Sequence, residues 1–403
     1  MMELLSNATT LEPVSRLVPS GRPAALAFVN DPESEAVLKT AFREETPGAV
    51  LRGDITKAIQ YLSETRSPRV LVVDISNISL PVSEVHRLAD VCEPGVSVVV
   101  IGNRDEVGLY RDLLQAGVAE YIVKPLTDTL VAKALHTAGG GAEPTPISRK
   151  LGKVIAFVGG RGGVGTSTMA VNLAWYFSTK QARRVALVDL DLHTGVCSLM
   201  LNVPPSSGLR EALENPLRVD SLFLERTLAA SGERLYVLGS EEPLEADLQF
   251  SGEAIDRLLE VLREQFHYVI MDVPHVPSSI SRRVLDLADT RVVVLDPTLQ
   301  SIRDAARLCR IEAVNGSAAR PIVIVNRAGE TGRRSIKADD IAGALQQRVR
   351  SVVPYQPTLF ADAAAQGGVA AAKRGRFADA IAALATEISG QAPPQRSRWS
   401  FFR

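Results

Sequence analysis

The sequence has little cysteine, almost no net charge and no long apolar run. Its 403 residues include 3 cysteines, Cys92, Cys197 and Cys309, which are odd in number and widely spaced. Such spacing does not suit a disulfide framework or a metal site, and it is typical of small core residues in a reducing compartment. The formal net charge of −1 argues against a field over the whole protein that would attract nucleic acid or a membrane.

No apolar stretch approaches the roughly 20 residues that are needed to span a bilayer. The opening residues "MMELLSNATTLEPVSRL" lack a basic start followed by an apolar run, so we expect no signal peptide. We therefore expect a cytoplasmic protein. Its contents of 46% hydrophobic and 23% charged residues are those of an ordinary globular protein, and its length suits two or three domains.

Glycine and proline concentrate in "HTAGGGAEPTPISRK", residues 136–150. This stretch has no apolar periodicity and is predicted to be a linker. The resulting division has an N-terminal arm (1–22), a first domain (23–136), the linker (137–150), a second domain (151–390) and a basic, aromatic tail (391–403).

Short apolar runs alternate with helical patterns in the first domain. The runs at 24–29, 70–73, 96–101 and 120–123 read as buried strands. In the second domain, six further runs are strand candidates, and most of them end in a polar residue or glycine: "KVIAFVGG", "RVALVDLD", "RLYVLGS", "YVIMDVP", "RVVVLDP" and "PIVIVNR". Both halves therefore predict an α/β fold with a mainly parallel sheet. Ligands gather at the carboxyl ends of such strands, where Asp189, Asp191, Asp272 and Asn326 stand.

The stretch "GGRGGVGTS", residues 159–167, follows a strand and precedes a helix, as a phosphate-binding loop does. Successive N–H groups of such a glycine turn and the following helix N-terminus bind anions. The pattern G-x-x-x-x-G-K-[ST] begins at Gly160 but has Thr166 in place of lysine, while Ser167 keeps the hydroxyl that ligates Mg²⁺. A glycine-rich turn without a ligand stays an open alternative on this motif alone.

The first domain resembles the receiver domain of response regulators, which has a flavodoxin-like fold. Asp74 ends the third predicted strand, where receivers carry the phosphorylated aspartate; Asp31 follows the first strand and Lys124 the last. Two positions depart from the pattern: Asn30 replaces an acidic residue, and Gly102 stands where a threonine or serine is expected. The departures favour a protein-docking module over a phosphorylated switch, although these carboxylates also fit ordinary strand-end loops.

The second domain resembles the ParA/MinD family, whose deviant Walker A loop reads KGGxGK[ST]. The resemblance implies that ATP and Mg²⁺ bind, that Arg161 takes the place of the lysine that reaches across a homodimer, and that Asp191 orients the attacking water. It implies Mg²⁺ ligation by Ser167, Asp189 and Asp272. The residues expected to contact the nucleotide are Gly160, Arg161, Gly162, Gly163, Val164, Gly165, Thr166, Ser167, Thr168, Asn326 and Arg327.

A threonine supplies a dipole where phosphoryl transfer needs a full positive charge, so slow or absent ATP hydrolysis is expected. The order of the two domains and the threonine in the loop resemble the TadZ/CpaE proteins of tight-adherence (Flp, type IVc) pilus systems. This resemblance implies a factor at the cell pole, associated with the inner-membrane pilus machinery. It also implies partners among the pilus secretion ATPase, other assembly components and a polar landmark protein.

Two other functions stay open: a partitioning or positioning ATPase that acts on DNA or membrane, and a response-regulator-like signalling protein. The near-neutral charge and Thr166 count against a nucleic-acid partner. The tail "RSRWSFFR" combines arginine with aromatic residues, which suits disorder, a partner, or peripheral contact with an anionic membrane. The helix "RFADAIAALATEI" near the end of the second domain is expected to pack into the core.

Overall fold

The computed structural model describes residues 23–44, 46–141, 151–246, 248, 250–311, 321–330, 332 and 335–390. Within these ranges the chain forms two α/β units, each built on its own parallel sheet. The predicted N-terminal arm and tail, and residues 142–150 of the predicted linker, lie outside the described residues.

The first unit is a five-stranded parallel sheet with the strand order β2-β1-β3-β4-β5, which is the flavodoxin-like doubly wound order. Apolar side chains on the two faces of the sheet pack into two cores under the helices. The strands are β1 (Ala25–Val29), β2 (Gly48–Arg52), β3 (Val70–Asp74), β4 (Ser97–Gly102) and β5 (Glu120–Val123). The helices are α1 (Pro32–Glu44), α2 (Ile55–Glu64), α3 (Pro81–Val91), α4 (Val107–Gln115) and α5 (Asp128–His136).

The second unit is an eight-stranded sheet with the order β13-β12-β11-β6-β10-β7-β9-β8. All its described pairings are parallel except that of β8 with β9, at one edge. The strands are β6 (Lys153–Gly159), β7 (Val185–Asp189), β8 (Ala229–Ala230), β9 (Leu235–Leu238), β10 (Tyr268–Val273), β11 (Thr290–Leu295), β12 (Ile322–Ala328) and β13 (Val349–Pro354).

Helices cover both faces of the second sheet, and α15 packs where the sequence predicts. Phe377, Ile381, Leu384 and Ile388 of α15 are buried in the core on the α6 side. The helices are α6 (Thr166–Lys180), α7 (Cys197–Met200), α8 (Gly208–Glu214), α9 (Ser221–Thr227), α10 (Ala254–Gln265), α11 (Ser279–Leu287), α12 (Leu299–Cys309), α13 (Ala338–Leu345), α14 (Pro357–Ala365) and α15 (Arg376–Ser389). No helix in the described part of the chain has the length and apolar character needed to cross a membrane.

Every strand predicted from an apolar run is present, but β2, β8 and β13 escaped prediction. β2 lies at the sheet edge, and the side chains of "GAVLR" are exposed or half-buried, so no continuous apolar run marks it. β13 likewise lies at an edge of its sheet, and Val353 is its only buried residue. In the predicted linker, Thr137–Gly141 continues from α5 as a π-helical turn; the domain boundaries themselves stay a prediction.

A neutral histidine joins the two units. The Nδ1 atom of His267, just before β10, accepts the N–H of Arg184 at 3.1 Å, and its Nε2–H donates to the carbonyl of Cys92 in the first unit at 2.9 Å. These two bonds select the neutral Nε2–H tautomer. Burial lowers the pKa of His267 to about 3, and the positive charge of Arg183 adds to the effect.

Buried charges complete this contact between the units. Arg184, just before β7, lies 3.6 Å from the buried carboxylate of Glu93, which also pairs with Arg66 at 3.4 Å. The guanidinium of Arg184 stacks on the rings of Tyr236 and Phe266. The two strands that start here, β7 and β10, are neighbours in the sheet, so the first unit contacts the ends opposite to those expected to bind a ligand.

Candidate nucleotide site

The turn between β6 and α6 has the backbone shape of an anion site. Gly163 and Gly165 have φ angles of 75° and 92°, in the left-handed region that glycine adopts without strain. Gly165 caps the 15-residue α6 without any side-chain hydrogen bond, so the first N–H groups of the helix face the turn. A side chain at Gly160 would come within 2.6 Å of the Ser301 carbonyl. These features fit a phosphate group held by backbone amides.

Two carboxylates lie side by side next to this turn. Asp189 and Asp272 are paired across β7 and β10, and they are 3% and 6% exposed. Ser167, in the first turn of α6, lies close enough to Asp272 for its hydroxyl to lower the pKa of that carboxyl. The predicted ligands Ser167, Asp189 and Asp272 are therefore brought together, with oxygen donors of the kind that Mg²⁺ prefers.

Burial perturbs both carboxylates. It raises the pKa of Asp272 to about 7, and the nearby charge of Asp189 adds to the shift. Burial likewise raises the pKa of Asp189, although backbone N–H groups of Cys197 and Asp191 oppose it. Within the described residues neither carboxylate has a cationic side-chain partner. Two neighbouring buried carboxylates without a cation suit a site for a divalent ion.

Cys197 is the third side chain of this cluster, and motif analysis did not assign it to the site. Its thiol donates to Asp272 at 3.5 Å, and its backbone N–H donates to Asp189 at 3.0 Å. The thiol is fully buried, and burial next to two carboxylates raises its pKa well above the usual range. Cys197 therefore remains a protonated thiol that orients Asp272. No motif in the sequence signals this role.

The remaining residues predicted around the nucleotide have partners within the chain. Asp191 accepts the backbone N–H of Thr194 at 2.9 Å and its hydroxyl at 2.7 Å, which closes a turn. The buried side-chain amide of Asn326 donates to the Val164 carbonyl at 2.8 Å, so it fixes the backbone of the glycine turn. Arg327, with φ of 54°, pairs with Glu330 at 3.5 Å. The proposed contacts of Asp191 with water and of Asn326 and Arg327 with the base stay predictions.

Arg161 is half-buried and faces its own chain. Its Nε donates to Asp296 at 3.2 Å, its second terminal nitrogen pairs with the other carboxylate oxygen, and its Nη1 donates to the Gly162 carbonyl at 2.9 Å. Burial alone would raise the pKa of Asp296, but hydrogen bonds from Arg161 and Thr298 outweigh it and hold that pKa below its usual range. The sequence did not point to Asp296 as the partner of Arg161.

The three residues predicted in the first unit also meet. The ammonium group of Lys124 lies 2.6 Å from Asp31 and 2.6 Å from Asp74, which is fully buried. Asp74 further accepts the backbone N–H groups of Ser76 at 2.8 Å and Asn30 at 3.3 Å. Burial would lower the pKa of Lys124, but hydrogen bonds to Asp31 and Asp74 outweigh it and raise that pKa. Both oxygens of Asp74 thus have donors within the protein.

The side chain of Tyr121 explains why a glycine stands at position 102. A side chain there would begin 2.5 Å from the Tyr121 hydroxyl, which donates to the Arg104 carbonyl at 2.9 Å. The phenol thus occupies the space beside the end of β4, where a threonine or serine was expected.

Comparison with known proteins agrees with this geometry. Residues 152–320 match the sequence family described as an AAA domain. The septum site-determining protein MinD of Bacillus subtilis is 24% identical over 189 residues, which cover 44% of this chain and 65% of the relative. The chain thus spans just under two thirds of that relative's length. Part of the chain is thus similar to the AAA domain family and to MinD.

Solved structures show the same fold in the second unit. A ParA family ATPase from Chlorobium tepidum has 24% identity and a TM-score of 0.52, covering 58% of this chain and 98% of its own. MinD of Pyrococcus horikoshii, solved with Mg-ADP, has 21% identity and a TM-score of 0.50, covering 59% and 96%. The pilus assembly protein CpaE of Caulobacter crescentus matches a smaller part of the chain, with 30% identity over 28% of this chain and 93% of its own; its TM-score of 0.27 supports no conclusion about either unit.

Proposed function

We propose that the second unit binds ATP with Mg²⁺ and that the chain acts as a nucleotide-dependent homodimer that positions other proteins. The observation that carries the proposal is the buried pair Asp189 and Asp272, which has no cationic side-chain partner among the described residues and lies beside a glycine turn whose helix lacks a side-chain cap. When bound, Mg²⁺ would neutralise this pair and the nucleotide phosphates. Asp189, Asp272 and Ser167 would hold the ion, and the backbone of residues 160–165 would hold the phosphates.

A second copy of the chain is the partner that best fits the face around the glycine turn. Exposed apolar side chains follow the carboxyl ends of β7, β9, β10 and β11, which are four of five consecutive strands, so they lie along one edge of the sheet. A group of this kind on a water-soluble surface favours a protein interface. The residues, each with its exposed fraction, are Val196 (38%), Leu199 (75%), Leu244 (73%), Val276 (60%) and Leu299 (78%).

Hydrolysis is proposed to be slow or absent. Thr166 lacks the charge that a lysine would bring to the transferred phosphoryl group, and Arg161 is paired with Asp296. Electrostatic stabilisation of the transition state is usually the largest catalytic contribution. ATP would then act mainly by joining two copies, and the complex would be long-lived.

The first unit is proposed to be a receiver-like docking module that works without phosphorylation. Lys124 and two backbone N–H groups already satisfy both oxygens of Asp74, and Asn30 offers no carboxylate to a cation. The cellular role that the sequence resemblance supports is the assembly of a tight-adherence pilus. The protein would collect at a cell pole and recruit the pilus secretion ATPase there.

Calorimetry tests the nucleotide proposal. Wild-type protein titrated with ATP·Mg²⁺ is expected to bind, and Asp272→Ala is expected to bind at least about tenfold more weakly, because a charge-assisted ligand is lost. Asp339→Ala, at an exposed carboxylate in the first turn of α13, is the matched control and should bind like wild type. No heat and no thermal shift at millimolar ATP would refute the proposal.

The pilus role needs a separate test in the native host. A fluorescent fusion should form a polar focus, and deletion of the gene should abolish pili. Asp74→Ala should leave both the focus and the pili intact. Evenly distributed fluorescence together with normal piliation in the deletion strain would refute this role, and loss of function in a folded Asp74→Ala protein would refute the docking module.

A further inference from the structure

The glycine turn is short of positive charge. The lysine position holds Thr166, and Arg161 is neutralised by the buried carboxylate of Asp296. A nucleotide phosphate bound to this turn would therefore meet backbone amides but no unpaired guanidinium or ammonium group from these two positions.

His275, in the loop after β10, lies against the glycine turn. It follows β10 three residues after Asp272, in an exposed segment. A Cβ atom added to Gly162 would lie 3.2 Å from Cε1 of the imidazole, 3.5 Å from Nε2 and 3.6 Å from Nδ1. Both ring nitrogens are thus next to the turn, and the ring approaches Gly162 more closely than it would approach most side chains. Within the described residues, no hydrogen bond to either nitrogen is present.

We propose that His275 binds the phosphate chain of the nucleotide and replaces part of what the missing lysine would supply. This inference rests on the proposed nucleotide binding. An imidazole has at least one N–H donor in any protonation state and two when it is protonated. In the nucleotide complex that donor would bond a phosphate oxygen held at the turn beside Gly162.

The first test compares nucleotide affinities by calorimetry with ADP·Mg²⁺ and ATP·Mg²⁺. His275→Ala is expected to weaken binding about tenfold, the size of one lost charge-assisted hydrogen bond. His275→Gln keeps an N–H donor and should recover part of the loss. His86→Ala, at an exposed histidine of α3, is the control and should bind like wild type. Because His275 is exposed, none of these variants should change the melting temperature without nucleotide.

The second test asks whether His275 substitutes for the lysine. In a Thr166→Lys background the ammonium group supplies the charge, so His275→Ala should cost only about two- to threefold, within the usual coupling of neighbouring residues. Equal affinities for wild type and His275→Ala would overturn the inference. Equal losses in the two backgrounds would overturn the substitution for lysine.

These outcomes are separable from failure of the proposed function. If wild type binds no nucleotide, the proposed function and the role of His275 both fall. If wild type binds, Asp272→Ala binds weakly and His275→Ala binds normally, the nucleotide site stands and His275 is an ordinary solvated residue of the loop.

Discussion

The guanidinium of Arg161 in the glycine turn is paired with the buried carboxylate of Asp296 in the same chain. Asp296 is 1% exposed and also accepts the hydroxyl of Thr298 at 2.9 Å. This pairing competes with the role that the sequence resemblance implies for Arg161, which is contact with the nucleotide of a second copy. An arginine cannot lose its charge, so it must leave one carboxylate to serve another anion.

Asp296→Asn is therefore expected to increase the ATP-dependent dimer, because a neutral amide holds the guanidinium less firmly. Arg161→Ala should decrease the ATP-dependent dimer fraction, and this effect should be larger than its effect on the affinity of a single chain for ATP. Sedimentation velocity with and without ATP·Mg²⁺ measures both effects. Arg87→Ala, at an exposed arginine of the first unit that pairs with Glu84, is the control. Identical dimer fractions for wild type, Asp296→Asn and Arg161→Ala would contradict the competition.

The protein should become less stable as the pH decreases, because His267 is neutral in the folded state. Its pKa in the folded protein is about 3, whereas an unfolded histidine titrates near 6.5. Between these values the unfolded chain binds the extra proton, so the stabilisation is complete above about pH 6.5 and decreases as the pH falls. For His267 alone the loss between pH 7 and pH 5 is about 2 kcal/mol.

Urea unfolding at the two pH values measures this effect. His267→Gln should be less stable than wild type at pH 7, and the difference between the two proteins should shrink by about 2 kcal/mol at pH 5. His86→Gln provides the baseline for an exposed histidine. A difference that does not change with pH would mean that His267 is not held neutral.

Gly102→Thr should destabilise the first unit. The new Cβ would lie 2.5 Å from the Tyr121 hydroxyl, and overpacking of this kind costs about 1–3 kcal/mol. Combining it with Tyr121→Phe removes the closest atom, so the double variant should lose less than the sum of the single ones. Gly108→Thr, where an added Cβ meets nothing within 4 Å, is the control. Additive losses in thermal denaturation would contradict the steric explanation.

Two of the three cysteines, Cys197 and Cys309, should react slowly in the folded protein. Cys197 is fully buried with a raised pKa, and burial raises the pKa of Cys309 to about 11. A thiol-disulfide reagent at about pH 8 attacks thiolates, so Cys309 should react first and Cys197 only after unfolding. Cys309→Ser should remove the earliest phase. Modification of Cys197 in the native protein at the rate of the denatured protein would show that its pocket is open.

The sequence predicted the buried strands and the carboxylates at their ends, because apolar runs followed by carboxylates are local patterns. Asp189, Asp272 and Ser167 meet as expected since neighbouring parallel strands end at one edge. Edge strands such as β2 escaped because half of their residues face solvent. Pairings between distant residues left no local pattern: Arg161 with Asp296 is separated by 135 positions, and His267 from Cys92 by 175.

The buried contact between the two units restricts how either unit can be recombined with other domains. It consists of His267, Cys92, Arg184 and Glu93. A chain that began at the second unit would leave Arg184 without Glu93, and the Nε2–H of His267 without the carbonyl of Cys92. Buried polar groups that lose their partners are costly. A grafted first unit would have to offer a carboxylate and a carbonyl at matching places. The two halves of this chain are therefore expected to be inherited together, with the residues just before β7 and β10 changing only in step with the loop after α3.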